Sequence, residues 1–335
     1  MPYNSIAVRA TPGGGPLIPE EVQREIVQSI EEKSAALRLM PHVRMKRAQQ
    51  RIPVMSQLPT AYWITGASLD ARDIGMKQTT TLAWDNVYLN AEEIAVIVPI
   101  SKNLLADMEY DFWTQVRPKV TEAFGVALDE AVFFGVNAPT TFPPSIVAGA
   151  LAAGNEVVAG TSTVDFLDDV NNGMAKVEED GYDVSGFWAR RQVRAKLRGL
   201  RTTDKEFIYY PDQAPTSDAR VGQLFGEPIV FNNAGLSAFA TGATGYSMIG
   251  GEWEQSMLAI RDDIDMEMFD TGVITDNGAP PVIIYNLLQQ DMVALRVTAR
   301  FAWAIPNPIN RQQPTKANRY PFFTIKQKAT TGGEG

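Results

Sequence analysis

The sequence predicts an α+β fold, and three observations carry the prediction. A β-rich run ends at Pro99-Ile100-Ser101 and gives way, after a short polar turn, to a long amphipathic helix that closes at Gly135. Upstream of that run, two β-rich arms flank a polar stretch, which is the pattern of a long ribbon. Downstream, helix and strand signals alternate over residues 147–253, and two long strands follow, Ser256–Phe269 and Asp291–Ile305.

In chain order, residues 1–19 are rich in Pro and Gly and have no hydrophobic period, so they read as an extended arm. A helix is expected from Glu20 to about Met40, with Val22, Ile26, Ile30 and Leu37 on one stripe. Its first half is acidic. Arg38, Arg44, Lys46, Arg47 and Arg51 follow without an intervening acid, a polarity that suits a helix dipole or charge pairing between neighbouring subunits. From Ile52 to Ile100 the chain reads as strands. The ribbon's arms are placed at Tyr62–Ile64 and Gln78–Val87, around the polar residues 67–77. A two-stranded ribbon is marginal alone, so it needs a surface to lie on; nothing adjacent in sequence supplies one, and a neighbouring subunit could.

The long helix is expected over Phe112–Phe134, roughly 35 Å at 1.5 Å per residue, with Asp111 as its cap. Phe112, Val116, Val120, Phe124, Leu128 and Ala131 form its stripe, and Pro118 should kink it or delay its start. Ser162 or Thr163 opens the next helix, which runs to Asp180 and is closed by Gly181; a basic helix is expected over Ala189–Leu200. Strands are expected at Phe207–Tyr210, around Gly226-Glu227-Pro228-Ile229-Val230, at Tyr246–Ile249 and at Tyr320–Lys326. A Gly/Pro loop centred on Asn277-Gly278-Ala279-Pro280-Pro281 joins the two long strands.

Composition narrows the function classes. The chain has 335 residues, 45% of them hydrophobic, so it can bury a sizeable core in two or three domains. It has no cysteine, which excludes disulfide and thiol chemistry and suits a reducing compartment. No apolar run reaches the length of a membrane span, and no signal-peptide core is evident. The net charge of −9 argues against a dedicated nucleic-acid binder.

Each constellation with chemical potential has a simpler structural explanation. The one histidine, His42, cannot build a His-rich metal site and has no acid close in sequence. Asp168 to Glu179 imitates a calcium loop, but Val170 occupies a position that needs an oxygen, and a helix explains the same residues better. Asp263, Asp265 and Glu267 alternate with Ile264, Met266 and Met268, the period-two pattern of a half-solvated strand rather than a metal cluster. Gly13-Gly14-Gly15 lacks the Lys-Ser/Thr of a phosphate cradle. The basic cluster Arg190, Arg191, Arg194, Lys196, Arg198 and Arg201 reads as a solvated face or subunit contact, since no aromatic interleaving supports base stacking. No catalytic, cofactor-binding or metal-ligating residue is therefore assigned, and no cofactor is expected.

Several blocks, in order, resemble the tailed-bacteriophage major capsid protein family with its Hong Kong 97-type fold. They are Ser34 before Leu37-Arg38-Leu39; Trp63; Val98-Pro99-Ile100-Ser101 before the long helix; and Asp129, Phe134-Gly135 and Pro143-Pro144-Ser145-Ile146 at its end. Ala189–Tyr210, residues 226–230, Gln290–Arg296 and Arg300 complete the series. Each block is weak alone; their order and spacing are specific. The resemblance implies an N-terminal arm and helix (1–56), an E-loop ribbon (57–92), a peripheral domain with a spine helix (93–146), an axial domain (147–254), further peripheral-domain strands with a tip loop (255–305), and a C-terminal strand and tail (306–335). It implies a non-enzymatic virion protein, assembled in the host cytoplasm. Such a protein associates with copies of itself as hexamers and pentamers, and encloses double-stranded DNA without reading its sequence. An acidic wall that does not grip its contents fits that role. Loop 270–290 would meet neighbours near three-fold and quasi-three-fold axes.

Two departures from the family pattern qualify the expectation. Many members carry about a hundred extra N-terminal residues that act as scaffold. Here the first helix begins at residue 20, so a separate scaffolding protein is expected, or none; a portal and a decoration protein are further expected partners. Some members crosslink through a ribbon lysine, an asparagine and a glutamate. Lys77 suits the first role, but Leu295 and Ala302 fall at the other positions and cannot do that chemistry. An encapsulin-type compartment shell, which would enclose a cargo enzyme, and an α+β hydrolase remain the alternatives.

Overall fold

The computed structural model describes residues 34–63, 79–107, 112–160, 166–200, 221–232, 245–276 and 278–327, with side chains of the long helix described from Val116 onward. Two sheets organise these residues. The first is four-stranded, in the order β1-β10-β13-β4, from β1 (His42–Arg44), β10 (Met257–Phe269), β13 (Met292–Ala304) and β4 (Glu92–Ser101). β10 and β13 are the long late strands foreseen in the sequence. They pair antiparallel from Met257↔Ala304 to Phe269↔Ala294, with irregularities between Ile260 and Asp265. β4 adds to the other edge of β13. The helix α1 (Ala35–Leu39) precedes β1; the earlier part of its expected span lies outside the described residues.

The second sheet is six-stranded, in the order β5-β14-β9-β6-β8-β7. Its strands are β5 (Glu156–Val158), β6 (Gly186–Arg190), β7 (Val221–Leu224), β8 (Glu227–Asn232), β9 (Tyr246–Gly251) and the C-terminal β14 (Phe322–Lys326). The expected basic helix starts later than foreseen. Residues 186–190 are a strand, because Phe187, Trp188 and Ala189 are fully buried between β9 and β8, and only Val193–Gly199 is helical. The helix expected to end near Gly181 covers Phe166–Glu179, with Gly181 at φ +83, a conformation natural to glycine. The strand expected at 207–210 lies outside the described residues.

The long helix runs over Phe112–Asp129 with Pro118 inside it, so it starts before the proline, and it continues as a π-helical turn, Glu130–Phe134. Gly135 closes it at φ +71. Val120, Phe124, Leu128 and Ala131 are buried, as the stripe required. The π-helical turn delivers Phe133 and Phe134 to the seam between the sheets. Phe133 lies 5.5 Å from Trp188 and 5.9 Å from Trp253, and Trp253 lies 4.9 Å from Phe322. Fully burying such a side chain contributes about 1.5–3 kcal/mol, so this aromatic cluster is a principal reason the two sheets share one core.

The ribbon departs from expectation in its first arm. Its strands are β2 (Gln49–Gln57) and β3 (Ala83–Asn90), in register from Gln49↔Asn90 to Gln57↔Ala83. Tyr62 and Trp63 are exposed and not in a strand. Pro53 sits in β2, which pairs only with β3; a strand with one partner tolerates the missing N–H. The ribbon tip falls outside the described residues.

Candidate assembly surfaces

Three surfaces and one buried clasp follow from this arrangement. The clasp begins with Asp129, an acid on an apolar helix face between Leu128 and Ala131. Its side chain is buried and receives hydrogen bonds from the Ser34 hydroxyl (2.6 Å), the Ala35 and Ala36 amides (2.9 Å each) and the Asn232 side-chain amide (3.1 Å). Ser34 Oγ in turn accepts from the Leu37 amide at 3.2 Å, capping α1. One carboxylate thus ties α1, the long helix and the end of β8 together. Burial pushes Asp129 up to about 6, against the hydrogen bonds from Ser34, Ala36 and Ala35 that favour the ionised form.

The ribbon has two unlike faces, as period-two side chains dictate. Inward, Ile52, Val87 and fully buried Leu89 pack on Met45, Ala259, Ala302 and Ala304. Outward, Trp84 and Tyr88 stand exposed, and Trp63, just before the tip, is 94% exposed. The second surface is the hairpin formed by β11 (Val273–Thr275) and β12 (Ile283–Asn286), between β10 and β13. Leu287, Met292 and Ala294 root it, with Ile274 and Tyr285 beside them. Asp276 Oδ1 accepts from the Gly278 amide (3.1 Å) and the Val282 amide (2.7 Å) and so fixes its turn. Val273, Val282, Ile283, Ile284 and Leu288 remain exposed. Contiguous exposed apolar side chains mark interaction sites rather than ordinary surface.

The third surface is charged. Arg44 pairs with Asp263 (3.3 Å), Arg300 with Glu93 (2.8 Å) and Asp262 (3.4 Å), and Arg296 with Glu267. These pairs ladder across neighbouring strands of the four-stranded sheet. Exposed pairs contribute little stability each, but they show how the acidic residues of β10 are used. Asp263 and Glu267 face arginines, and among the described residues no group of three or more His, Cys, Asp or Glu is placed to hold a metal.

The other residues singled out from sequence are dispersed. His42 is exposed on β1, opposite Leu258. Asp168 to Glu179 is helical; Asp169 is buried and accepts from the Gly160 amide at 3.1 Å, and Gly173 packs against the Phe323 ring. In the basic cluster, the Arg194 guanidinium lies 5.7 Å from the centre of the Phe231 ring and the Lys196 ammonium 5.8 Å from that of Phe166. Both cations thus cover aromatic rings of their own chain. Arg190 ends a strand, Arg191 and Arg198 are exposed, and Arg201 lies outside the described residues. Leu295 and Ala302 are both buried on β13, Leu295 in the main core. Lys77 and Gly13-Gly14-Gly15 lie outside the described residues. Among the described residues no helix is long and apolar enough to cross a membrane.

Sequence reasoning met Ser34 and Asp129 only as parts of a resemblance. The available physical signal was an aspartate in the middle of the helix's apolar run, which needs donors wherever it is buried.

A spine helix beside a four-stranded sheet with two very long strands, a projecting ribbon and a separate six-stranded sheet define a shell-forming protein of the Hong Kong 97 type. The comparisons with known proteins agree. The phage capsid family matches residues 14–309, and the chain belongs to that family. The major capsid protein of Staphylococcus phage 80alpha is 27% identical, over 84% of this chain and 79% of its own. A solved structure from Microbacterium phage Oxtober96 is 36% identical and superposes with a TM-score of 0.73, covering 88% of this chain and 91% of that one. The capsid of a native GTA particle shares the fold at 15% identity, with a TM-score of 0.55 over 98% of this chain and 95% of that one.

Proposed function

We propose that this chain is the major capsid protein of a tailed double-stranded DNA phage, and that its copies close through pentamers and hexamers into the icosahedral shell around the genome. The observation that carries the proposal, beside family membership, is the ribbon: its root is anchored in its own subunit while its outward aromatic face stays in solvent. Exposed Trp63, Trp84 and Tyr88 are costly to leave wet and suit the surface of an adjacent copy. In this proposal residues 1–56 are the arm and helix, 57–92 the E-loop, 93–146 and 255–305 the peripheral domain, 147–254 the axial domain, and 306–335 the C-terminal strand and tail. The β11–β12 hairpin meets its counterparts near three-fold and quasi-three-fold axes. The protein has no catalytic role and holds no cofactor. Assembly takes place in the host cytoplasm with a portal and, where the phage uses them, a scaffolding protein and a decoration protein.

Electron microscopy and sedimentation of the purified chain test the proposal. Closed particles with hexameric and pentameric capsomers are expected, and virion-derived particles should carry the absorbance of nucleic acid. Monomers that persist at high concentration with the fold intact, and a cargo enzyme in place of DNA, are the two results that would overturn it.

A further inference from the structure

Residues 305–321 cross from β13, in one sheet, to β14, in the other, and they are held from two sides. On the side of the six-stranded sheet they grip the C-terminal end of the 166–179 helix. The Asn310 side-chain amide donates to the Asp180 carbonyl (2.6 Å), Gln312 to the Glu178 carbonyl (2.8 Å), and the Tyr320 amide to the Asp180 carboxylate (3.0 Å). On the other side they meet the ribbon beyond its root, toward the tip. The Ile309 amide donates to the Met55 carbonyl (3.2 Å), Arg311 to the Pro59 carbonyl (3.3 Å), and the Lys316 ammonium lies 3.7 Å from the Asp85 carboxylate.

Between these two sets of contacts the strap has a rigid centre. Arg319 is buried, and its guanidinium donates to Asn307 Oδ1 (2.9 Å), the Asn307 carbonyl (3.2 Å) and the Gln313 carbonyl (2.7 Å). The Asn307 side-chain amide returns a bond to the Arg319 carbonyl (2.7 Å), and the Tyr182 hydroxyl donates to Asn307 Oδ1 (2.7 Å). Each guanidinium nitrogen has an acceptor, as a buried charge requires, and the network favours a well-defined strap.

We infer that the strap is a coupling element: it ties the angle at which the ribbon leaves the body to the position of the 166–179 helix in the six-stranded unit, so that displacing one displaces the other. The inference goes beyond the proposed function and does not depend on it. It assigns Asn310, Gln312 and Arg319 as positioning residues for a ribbon to which their side chains make none of the hydrogen bonds described.

Native-state hydrogen exchange on the full chain tests it. Asn310→Ala with Gln312→Ala removes two of the three bonds to the helix end, together with the bond from the Gln313 amide to Asn310 Oδ1 within the strap (2.8 Å), and alters none of the three ribbon contacts directly. Amides of Val54, Val87 and Leu89 should then exchange roughly fivefold faster, as expected for a local opening, while those of β10 and β13 keep their rates. Lys316→Asp should speed the same ribbon amides, and adding Asp85→Lys should restore them. Arg319→Met should reproduce the effect of the double variant; should it fail to fold, half-buried Asn310 and exposed Gln312 decide alone. Unchanged ribbon exchange in the Asn310/Gln312 variant overturns the inference, whether or not the strap's own amides speed up. A uniform acceleration that includes β10 and β13 overturns it as well, since that reports global stability.

Discussion

Asp129 concentrates two opposing demands in one side chain. Its four donors favour the anion, and its burial disfavours it; burial is the larger effect, and the carboxyl rises from 3.8 to about 6. The sign follows. Well below 4 the group is protonated in both folded and unfolded chains, and well above 6 it is ionised in both. Between these limits the folded chain holds the proton longer, so the stability this residue contributes falls as pH rises through that window. The variant Asp129→Asn removes the titration. The advantage of the native chain over it should narrow between pH 4 and pH 7 by about 2 kcal/mol, part of the effect of the shift having already been lost at pH 4. Urea midpoints at pH 4, 5.5 and 7 for both proteins check this; an advantage that stays constant or widens would contradict it. Glycines offer a second test at this scale. A Cβ on Gly251 would sit 2.1 Å from the Pro321 carbonyl oxygen, which belongs to backbone and cannot swing away, whereas one on Gly199 would meet nothing within 4 Å. Gly251→Ala should therefore cost about 2–4 kcal/mol and Gly199→Ala should be neutral or slightly stabilising. Thermal melts of the two variants measure the contrast.

At the scale of elements, the ribbon separates folding from assembly. Leu89 belongs to its inward face and is fully buried, so Leu89→Ala should destabilise the subunit by about 2–4 kcal/mol. Trp63 and Trp84 belong to its exposed side. The double change Trp63→Ser and Trp84→Ser should move the melting transition by no more than ordinary surface changes do, about 1 kcal/mol or less, yet reduce particle yield sharply, because the lost contact recurs at every copy. Circular dichroism and sedimentation on the same preparation report both quantities; normal shells from the folded variant would remove the ribbon from the assembly surface. The ribbon also shows why its first arm was misplaced from sequence. Tyr62-Trp63-Ile64 has the residue types of a strand, while Gln49–Gln57 carries three glutamines, an arginine and a proline. Strand propensity measures how well a residue fits a half-buried pleated surface, and most of this ribbon is not buried within its own chain. The basic helix failed in the opposite direction. Ala189 and Arg190 continue a basic run, but the buried Phe187-Trp188 pair draws them into the middle of a sheet.

For the whole molecule, the position of Leu295 and Ala302 inside the core bears on how copies are joined. Leu295 faces the main core and Ala302 the ribbon root, and neither offers an amide or a carboxylate to a lysine. Shells held by non-covalent contacts are expected. Boiled mature particles should run as a single band near 36.8 kDa on a denaturing gel, and a ladder of larger species surviving denaturant would show that a crosslink forms through other residues.

The sequence by itself determined the α+β class, the long helix with its buried stripe and its stop at Gly135, the two late strands to within a residue or so, and the existence of the ribbon's second arm, which was placed several residues early at Gln78–Val87. All of these are repeats of 3.6 or 2 residues bounded by glycine, proline and capping side chains, and such signals are local. Only the tertiary structure decided that the C-terminal strand Phe322–Lys326 enters the six-stranded sheet between β5 and β9, that Ser34 and Asn232 converge on Asp129, and that Arg319 lies at the centre of a strap between two sheets. The pairings of the C-terminal strand and the bonds to Asp129 join residues about 70 to 170 positions apart along the chain. No local period records them: a buried carboxylate or guanidinium needs donors or acceptors wherever the fold can supply them, and a strand chooses among neighbours of similar pattern only when the whole core closes.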